Sequence, residues 1–535
     1  MHLSILALSL VLLEKTLHRM ELKFPLSDKY QHMLKKVYSE LMILGLISLG
    51  IKILEAVPGF DSESKAMLAF EVADLAIFLL ALALILQSTT IFLLLRRQSE
   101  RADRAELMST KDMIQEIATT SNTEGAGPSF VQTLFCCGRT AKKKAIHEEL
   151  IELRLLRCLF LRRFGLPQIF PFSKYLSRAQ ANQISHMIEV EPSMWIVLLG
   201  VAWSICGVLK LLEQLDTDMP ERQELVEALF MMSWVLLLLH FVALLYLRSC
   251  VHYLLRAAAF SDDKRTLNSN LSAIAKEETG SLQNDEVEKA LETMCSIQEQ
   301  HEESDYKLSQ LQNKQDTGLQ FITNLFSGTK EEFFGVVAGS PPIDIRFFSH
   351  NMWHVAVMLL MILNGFIATL FVQCVVYDLD EIYEDFGTLP TVLVLLPIVL
   401  NTCVFQRHIF YDFVIVSNTL RIDSHTLSDV VENFSEVVRL RSEFATSLLH
   451  HITQQELTIA DLQAELKARD RTNIGYIDVD DLREVLSKFG FRLTRFRFNS
   501  VVKLLFELDG TTVAYEQVVL LVSTEQSDNL RYTHC

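Results

Sequence analysis

Almost nothing in this chain points to catalysis. It has no glycine-rich loop of the kind that cradles phosphate, no nucleophile elbow, and no pair of histidines with a glutamate at zinc-binding spacing. We therefore expect no enzyme. The nine cysteines show neither metal spacing nor an even secreted framework, so they read as reduced thiols. Basic residues are the minority, 49 against 66 acidic ones. The resulting formal charge of −17 leaves no case for general nucleic-acid binding.

What the chain does have is apolar length. Half of its 535 residues are hydrophobic and mean hydropathy is +0.24, unusual for a water-soluble chain of this size. Runs of about twenty apolar residues, enough to cross roughly 30 Å of hydrocarbon, fall near 37–56, 68–95, 194–212, 225–247, 351–376 and 388–410. A further segment, 3–13, is about half that length; it is read as a short or incomplete first span, or as a piece lying in the interface. A signal peptide is its rival, but the start carries no positive charge and no small-residue cleavage site precedes Glu14 and Lys15. The expected fold is all-α: a polytopic helix bundle of seven spans, with segments 96–193 and 248–350 on its cytoplasmic side.

Charge sets the orientation. Arg96, Arg97, Arg101 and Arg104 follow one span, and Arg248 and Arg256 follow another. The opposite ends carry Asp61 and Glu63, then Glu213 to Glu224, then Asp378 to Asp385. By the lysine and arginine bias the basic ends are cytoplasmic. The C-terminus is then inside, and the N-terminus outside if the first span is real. Within segment 96–193, Cys136 and Cys137 precede Lys142–Lys144. They read either as lipidation sites beside anionic lipid or as two ordinary thiols near a solvated charge run.

Three stretches resemble a known family. Val11–Arg19 and Ser39–Leu49 look like the first two helices of the plant mildew-resistance-locus-O (MLO) proteins. Phe170–Tyr175 leading to Ser193-Met194-Trp195 is similar to the family's passage into its fourth helix. The resemblance covers residues 3 to about 430 and implies a seven-span plasma-membrane protein, proposed in that family to act as a calcium-permeable channel. Two departures stand out. The outward loops here have no cysteines for the disulfides the resemblance implies, and 423–455 lacks the basic, tryptophan-containing helix that binds calmodulin in the family. That part, 431–455, reads as a linker helix.

Beyond it, 456–525 resembles a degenerate pair of EF-hands followed by a short tail, 526–535. A calcium loop wants oxygens at positions one, three, five and twelve, glycine at six and a backbone carbonyl at seven. Asp470, Thr472, Gly475, Tyr476, Asp478 and Asp481 take these slots or the ninth, whereas Ile474 at position five brings no oxygen. The second loop, at Asp509–Val513, is too short and too poor in donors to hold a metal. Two readings stay open: a weak calcium or magnesium site, or a metal-free structural pair. Either way Ile477 is expected to pair with Val513.

Ionisable and polar residues inside spans attract functional hypotheses. Glu71 and Asp74 lie three apart on one helical face and read as a divalent-concentrating outer mouth or as wet headgroup residues. Glu40, His240, Asn364 and Asn401 are candidate intramembrane polar sites, and Pro397 with Asn401 and Thr402 predicts a kink. The functions carried forward are a calcium-permeable channel or calcium-signalling component regulated by its tail, a non-conducting scaffold for cytoplasmic signalling partners, and a seven-helix receptor. The expected contacts are membrane lipids and, on some of these readings, a second copy of the chain; calcium is the one cofactor entertained.

Overall fold

The computed structural model describes residues 65–114, 139–188, 222–261, 263–284, 287–313, 345–374, 396–470 and 473–533, with scattered positions between 15 and 53, between 199 and 210, and at 343 and 393. These residues are mostly helical, with three short strands. In chain order the elements are α1 (Lys65–Ala105), α2 (Arg139–Phe164), α3 (Phe172–Ile188), α4 (Arg222–Ala257), α5 (Lys264–Asn284), α6 (Val287–Asn313) and α7 (His350–Cys374). A π-helical turn (Asn401–Phe405) leads into α8 (Gln406–Leu420). Then follow α9 (Ser424–Gln454), α10 (Ile459–Arg469), β1 (Tyr476–Asp478), α11 (Val479–Lys488), α12 (Arg495–Leu505), β2 (Leu508–Asp509), β3 (Thr512–Ala514) and α13 (Tyr515–Thr533).

Three helices are long and apolar enough to cross a membrane, at Val72–Arg104, Ala228–Ala257 and His350–Gln373. Neither α1 nor α4 contains a proline or glycine, so nothing interrupts the backbone ladder over 41 and 36 residues. The described positions of 37–56 and 194–212 are helical as well. Segment 3–13 lies outside the described residues.

The chain divides into two compact units. Unit 1 comprises 1–95, 180–247 and 350–413. Its polarity is inverted: Leu86, Met231 and Leu238 are 60–65% exposed, while Ser88, His240, Asn364 and Asn401 are almost wholly buried. Aromatic contacts join α4 to its neighbours, with Tyr246 stacked on Trp353 at 4.6 Å and Phe241 edge-on to Phe405 at 6.2 Å.

Unit 2 comprises 96–179, 248–349 and 414–535. Its long helix α9 is capped by Asp423, which accepts from the Thr426 amide at 3.0 Å. An apolar stripe follows. Leu427, Val430, Val431 and Phe434 join a first core with Phe160, Phe170, Tyr175 and Met294. Val437, Phe444, Leu448 and Ile452 join a second core with Leu466, Leu482, Phe498, Val502, Val513 and Val518. The stretch read as a linker helix, 431–455, is thus part of a longer helix shared by two cores; its glutamates and arginines occupy the other face and disguised the stripe.

A buried charge cluster ties the segments of unit 2 together. Glu278 on α5 lies 3.3 Å from Arg154 and 3.4 Å from Arg157, both on α2. Its other oxygen accepts from the Thr110 hydroxyl at 2.6 Å. Arg154 also donates to the Met108 carbonyl and Arg157 to that of Gln168. Burial pushes the Glu278 carboxyl up, but the two guanidinium groups and Thr110 outweigh it and hold the group below its ordinary value. Nearby, Lys503 donates to the Glu106 carbonyl at 3.0 Å. Burial first, then the charge of Arg157, push its ammonium down to about 8.

Replacing Glu278 with alanine leaves two buried guanidinium groups unpaired and is expected to destabilise unit 2 by about 3–5 kcal/mol. Hydrogen exchange in α2 and α5 reads this out; unchanged protection there would mean that the cluster is not holding the unit. For Lys503 the folded pKa lies below the unfolded value, so the unfolded chain binds more protons between about pH 8 and 10.5 and stability rises with pH across that window. The stability of Lys503→Met relative to the wild type is therefore expected to fall as pH climbs from 7 to 10, measured by paired thermal unfolding. A flat difference would contradict a buried, depressed lysine.

Candidate functional site

Two groupings bring together residues with functional chemistry, one in each unit. In unit 1, Asn401 donates from Nδ2 to Asn364 Oδ1 at 3.2 Å, and Asn364 donates from Nδ2 to Thr402 Oγ1 at 3.1 Å. The network orients the Gln87 amide so that its nitrogen donates to the Met361 carbonyl at 3.3 Å and its oxygen accepts from Asn364 at 3.2 Å. Three chain segments thus meet through amides in an otherwise apolar interior.

Local sequence explains the convergence. Gly365 permits close approach: a Cβ there would stand 3.3 Å from Leu80 Cδ1 and 3.4 Å from Leu84 Cδ2, two turns and one turn before Gln87 on α1. Four residues after Pro397 the helix widens into the π-turn at Asn401–Phe405. Thr402 donates back to the Ile398 carbonyl at 3.0 Å. A π-turn of this kind re-aims side chains and is frequent at functional sites. Asn401 Oδ1, Ser88 Oγ and both amide atoms of Gln406 are buried without a hydrogen-bond partner among the described residues. His240 donates from Nδ1 to the Leu236 carbonyl, 2.8 Å away, while its Nε2 has no partner among those residues.

Asp74 is half-buried and accepts from the Ser48 hydroxyl at 2.8 and 3.0 Å. The side chain of Glu71 and all of Glu40, Cys136, Cys137 and Thr472 lie outside the described residues.

In unit 2, the loop from Asp470 to Asp481 sits between α10 and α11. Asp470 accepts the Gly475 amide at 2.7 Å. Asn473 and Gly475 turn the backbone with φ of 54° and 90°. Strand β1 then pairs antiparallel with β3, with Tyr476 opposite Ala514, Ile477 opposite Val513 and Asp478 opposite Thr512. Ile477 and Val513 are both buried in the second core, which accounts for the apolar choice at each position.

The described side-chain donors of this loop are engaged within the chain. Asp478 Oδ1 accepts from the Asp480 amide at 2.9 Å and caps α11. Its Oδ2 accepts from Thr511 Oγ1 at 3.0 Å and from Arg104 at 2.8 Å. Asp481 lies 3.6 Å from Arg469. Ile474 is 68% exposed and brings no oxygen. Among the described residues no three histidine, cysteine, aspartate or glutamate side chains converge as metal ligands.

Sequence reading passed over Gln87 and Ser88, a polar pair in the middle of a span, and Arg104, which was taken only as a marker of orientation. The first pair carries a signal, since polar residues among apolar ones imply an internal partner. The role of Arg104 does not, because its partners are more than 370 positions away. Comparison of the chain with family models, curated proteins and solved structures finds no match.

Proposed function

We propose that this chain is a multi-pass membrane protein that conducts cations, calcium among them, through unit 1. The observation that carries the reading is the amide cluster of Gln87, Asn364, Asn401 and Thr402, enclosed by helices whose outer surface is apolar. An apolar exterior is costly in water and natural in lipid. Polar groups gathered away from that exterior offer a cation neutral oxygens, and Asp74 with Glu71 supplies negative charge at the proposed outer mouth. The resemblance to the MLO family points the same way, toward seven spans in the plasma membrane with the C-terminus inside. Helices α10 to α13 with their two paired loops form, on this reading, an EF-hand-like cytoplasmic element.

A scaffold without conduction is the second reading. It is favoured by the size of unit 2, which gathers three separated segments of the chain into one body.

Purified full-length protein in liposomes decides between them. Potassium and calcium flux above that of empty vesicles is expected. The double substitution Asn364→Ala with Asn401→Ala is expected to lower both fluxes at least tenfold, and Asp74→Asn to lower the calcium share. Flux at the level of empty vesicles from folded, inserted protein would remove the channel reading and leave the scaffold.

A further inference from the structure

Nine residues beyond Leu95, where the apolar run of α1 ends, the chain places a cation on the first loop of the C-terminal pair. Arg104 Nη2 lies 2.8 Å from Asp478 Oδ2, and its Nη1 lies 3.9 Å from Asp480 Oδ2. The same short stretch serves the second loop. Asp112 Oδ2 accepts the Gly510 amide at 3.2 Å. Between them, the Glu106 carbonyl accepts from Lys503 and Leu107 is buried in the second core. Residues 104–112 therefore occupy both loops at once, with a positive group on the acidic loop and a negative group on the glycine turn of the other.

The first loop keeps its shape by its own bonds. Asp470 holds the Gly475 amide, Gly475 O accepts the Tyr515 amide at 3.3 Å, and the β1–β3 ladder joins it to its partner. In a calcium loop the ion neutralises clustered carboxylates and fixes the turn. Here the turn is held by the chain's own bonds, and three carboxylates are paired with arginines: Asp478 with Arg104, Asp480 with Arg495 at 2.6 Å and Arg483 at 3.6 Å, and Asp481 with Arg469. Three of these arginines belong to the pair or its entering helix. Arg104 alone comes from the segment continuous with α1.

We propose that the guanidinium of Arg104 is the resident cation of the 470–481 loop, so that the C-terminal pair binds the 104–112 segment of its own chain in place of a metal ion. The proposal rests on reading the pair as EF-hand-like and is independent of conduction. Its chemistry is a charge-assisted hydrogen bond to the Asp478 carboxylate, with the second guanidinium nitrogen turned toward Asp480. A divalent ion seeking Asp478 has to displace it, and the absence of an oxygen at Ile474 leaves that ion too few ligands to do so.

Terbium luminescence sensitised by Tyr476, at the seventh position of the loop, tests this on the full chain in detergent, with Tyr476→Phe subtracted to remove the other tyrosines. The wild type is expected to give no Tyr476-dependent emission. A repaired loop, Ile474→Asp with Asp481→Glu, is expected to bind terbium, and adding Arg104→Gln to tighten that binding at least tenfold. Micromolar terbium binding by the wild type would overturn the proposal. Equal affinity of the repaired loop with and without Arg104 would overturn the role of Arg104 while keeping the EF-hand-like reading. No binding in either repaired background would overturn that reading itself. Independently, Arg104→Gln in the wild-type loop is expected to speed hydrogen exchange across 473–482 and 508–514; unchanged exchange there would show that the arginine holds nothing.

Discussion

Burying Glu278 with Arg154 and Arg157 is the constraint around which unit 2 is organised. Three charges with little access to water are tolerable only if each is paired and its remaining donors and acceptors are used. Thr110, Met108 and Gln168 supply most of those partners, and the remaining Nε of Arg157 lies 3.7 Å from the Glu106 carboxylate. The consequence is topological: the residues that complete the cluster come from the stretch after α1, from α2 and its following turn, and from α5. None can move far without leaving a charge exposed to an apolar interior. Glu106 extends the same logic. Its carboxylate accepts the Phe172 amide at the start of α3 at 3.1 Å, while its carbonyl takes the Lys503 ammonium.

Unit 1 inverts this arrangement. The buried cluster around Asn364 is built from neutral groups, the amides of Gln87, Asn364 and Asn401 and the hydroxyl of Thr402. That difference follows from the cost of desolvation: an amide left partly unsatisfied costs a few kcal/mol, whereas an unpaired charge costs far more. The π-turn after Pro397 provides what a regular helix cannot, two successive polar side chains, Asn401 and Thr402, both directed at Asn364. Gly365 removes the side chain that would hold α1 away. Backbone irregularity and a missing Cβ therefore work together to bring Gln87 into the same network.

Much of this was legible in the sequence where the signal is local. Apolar run length marked α1, α4 and α7, and Pro397 marked the place where the last apolar segment departs from a regular helix. Loop spacing pointed to the Ile477 and Val513 pairing. Contacts between distant segments were hidden. Glu278 lies in a polar stretch whose broken periodicity looks like a solvated helix, and only its position against α2 reveals it as buried. The same holds for α9, whose buried face is interrupted by charged residues that belong to its other side.

The identity of the cation on the first loop decides what kind of element the C-terminal pair is. A dissociable ion makes such a pair a sensor, because occupancy follows concentration and two states differ in affinity for it. A guanidinium carried on the chain has a fixed effective concentration and never deprotonates in the physiological range. With Arg104 in that place, the pair has no concentration to follow, and its occupancy depends only on where residues 104–112 are held. The pair then reports on the position of a helix end instead of on a solute. In that light Ile474 is part of the device: restoring an oxygen at that position would set an external ion in competition with Arg104, and the loop would answer to two ligands where it now answers to one.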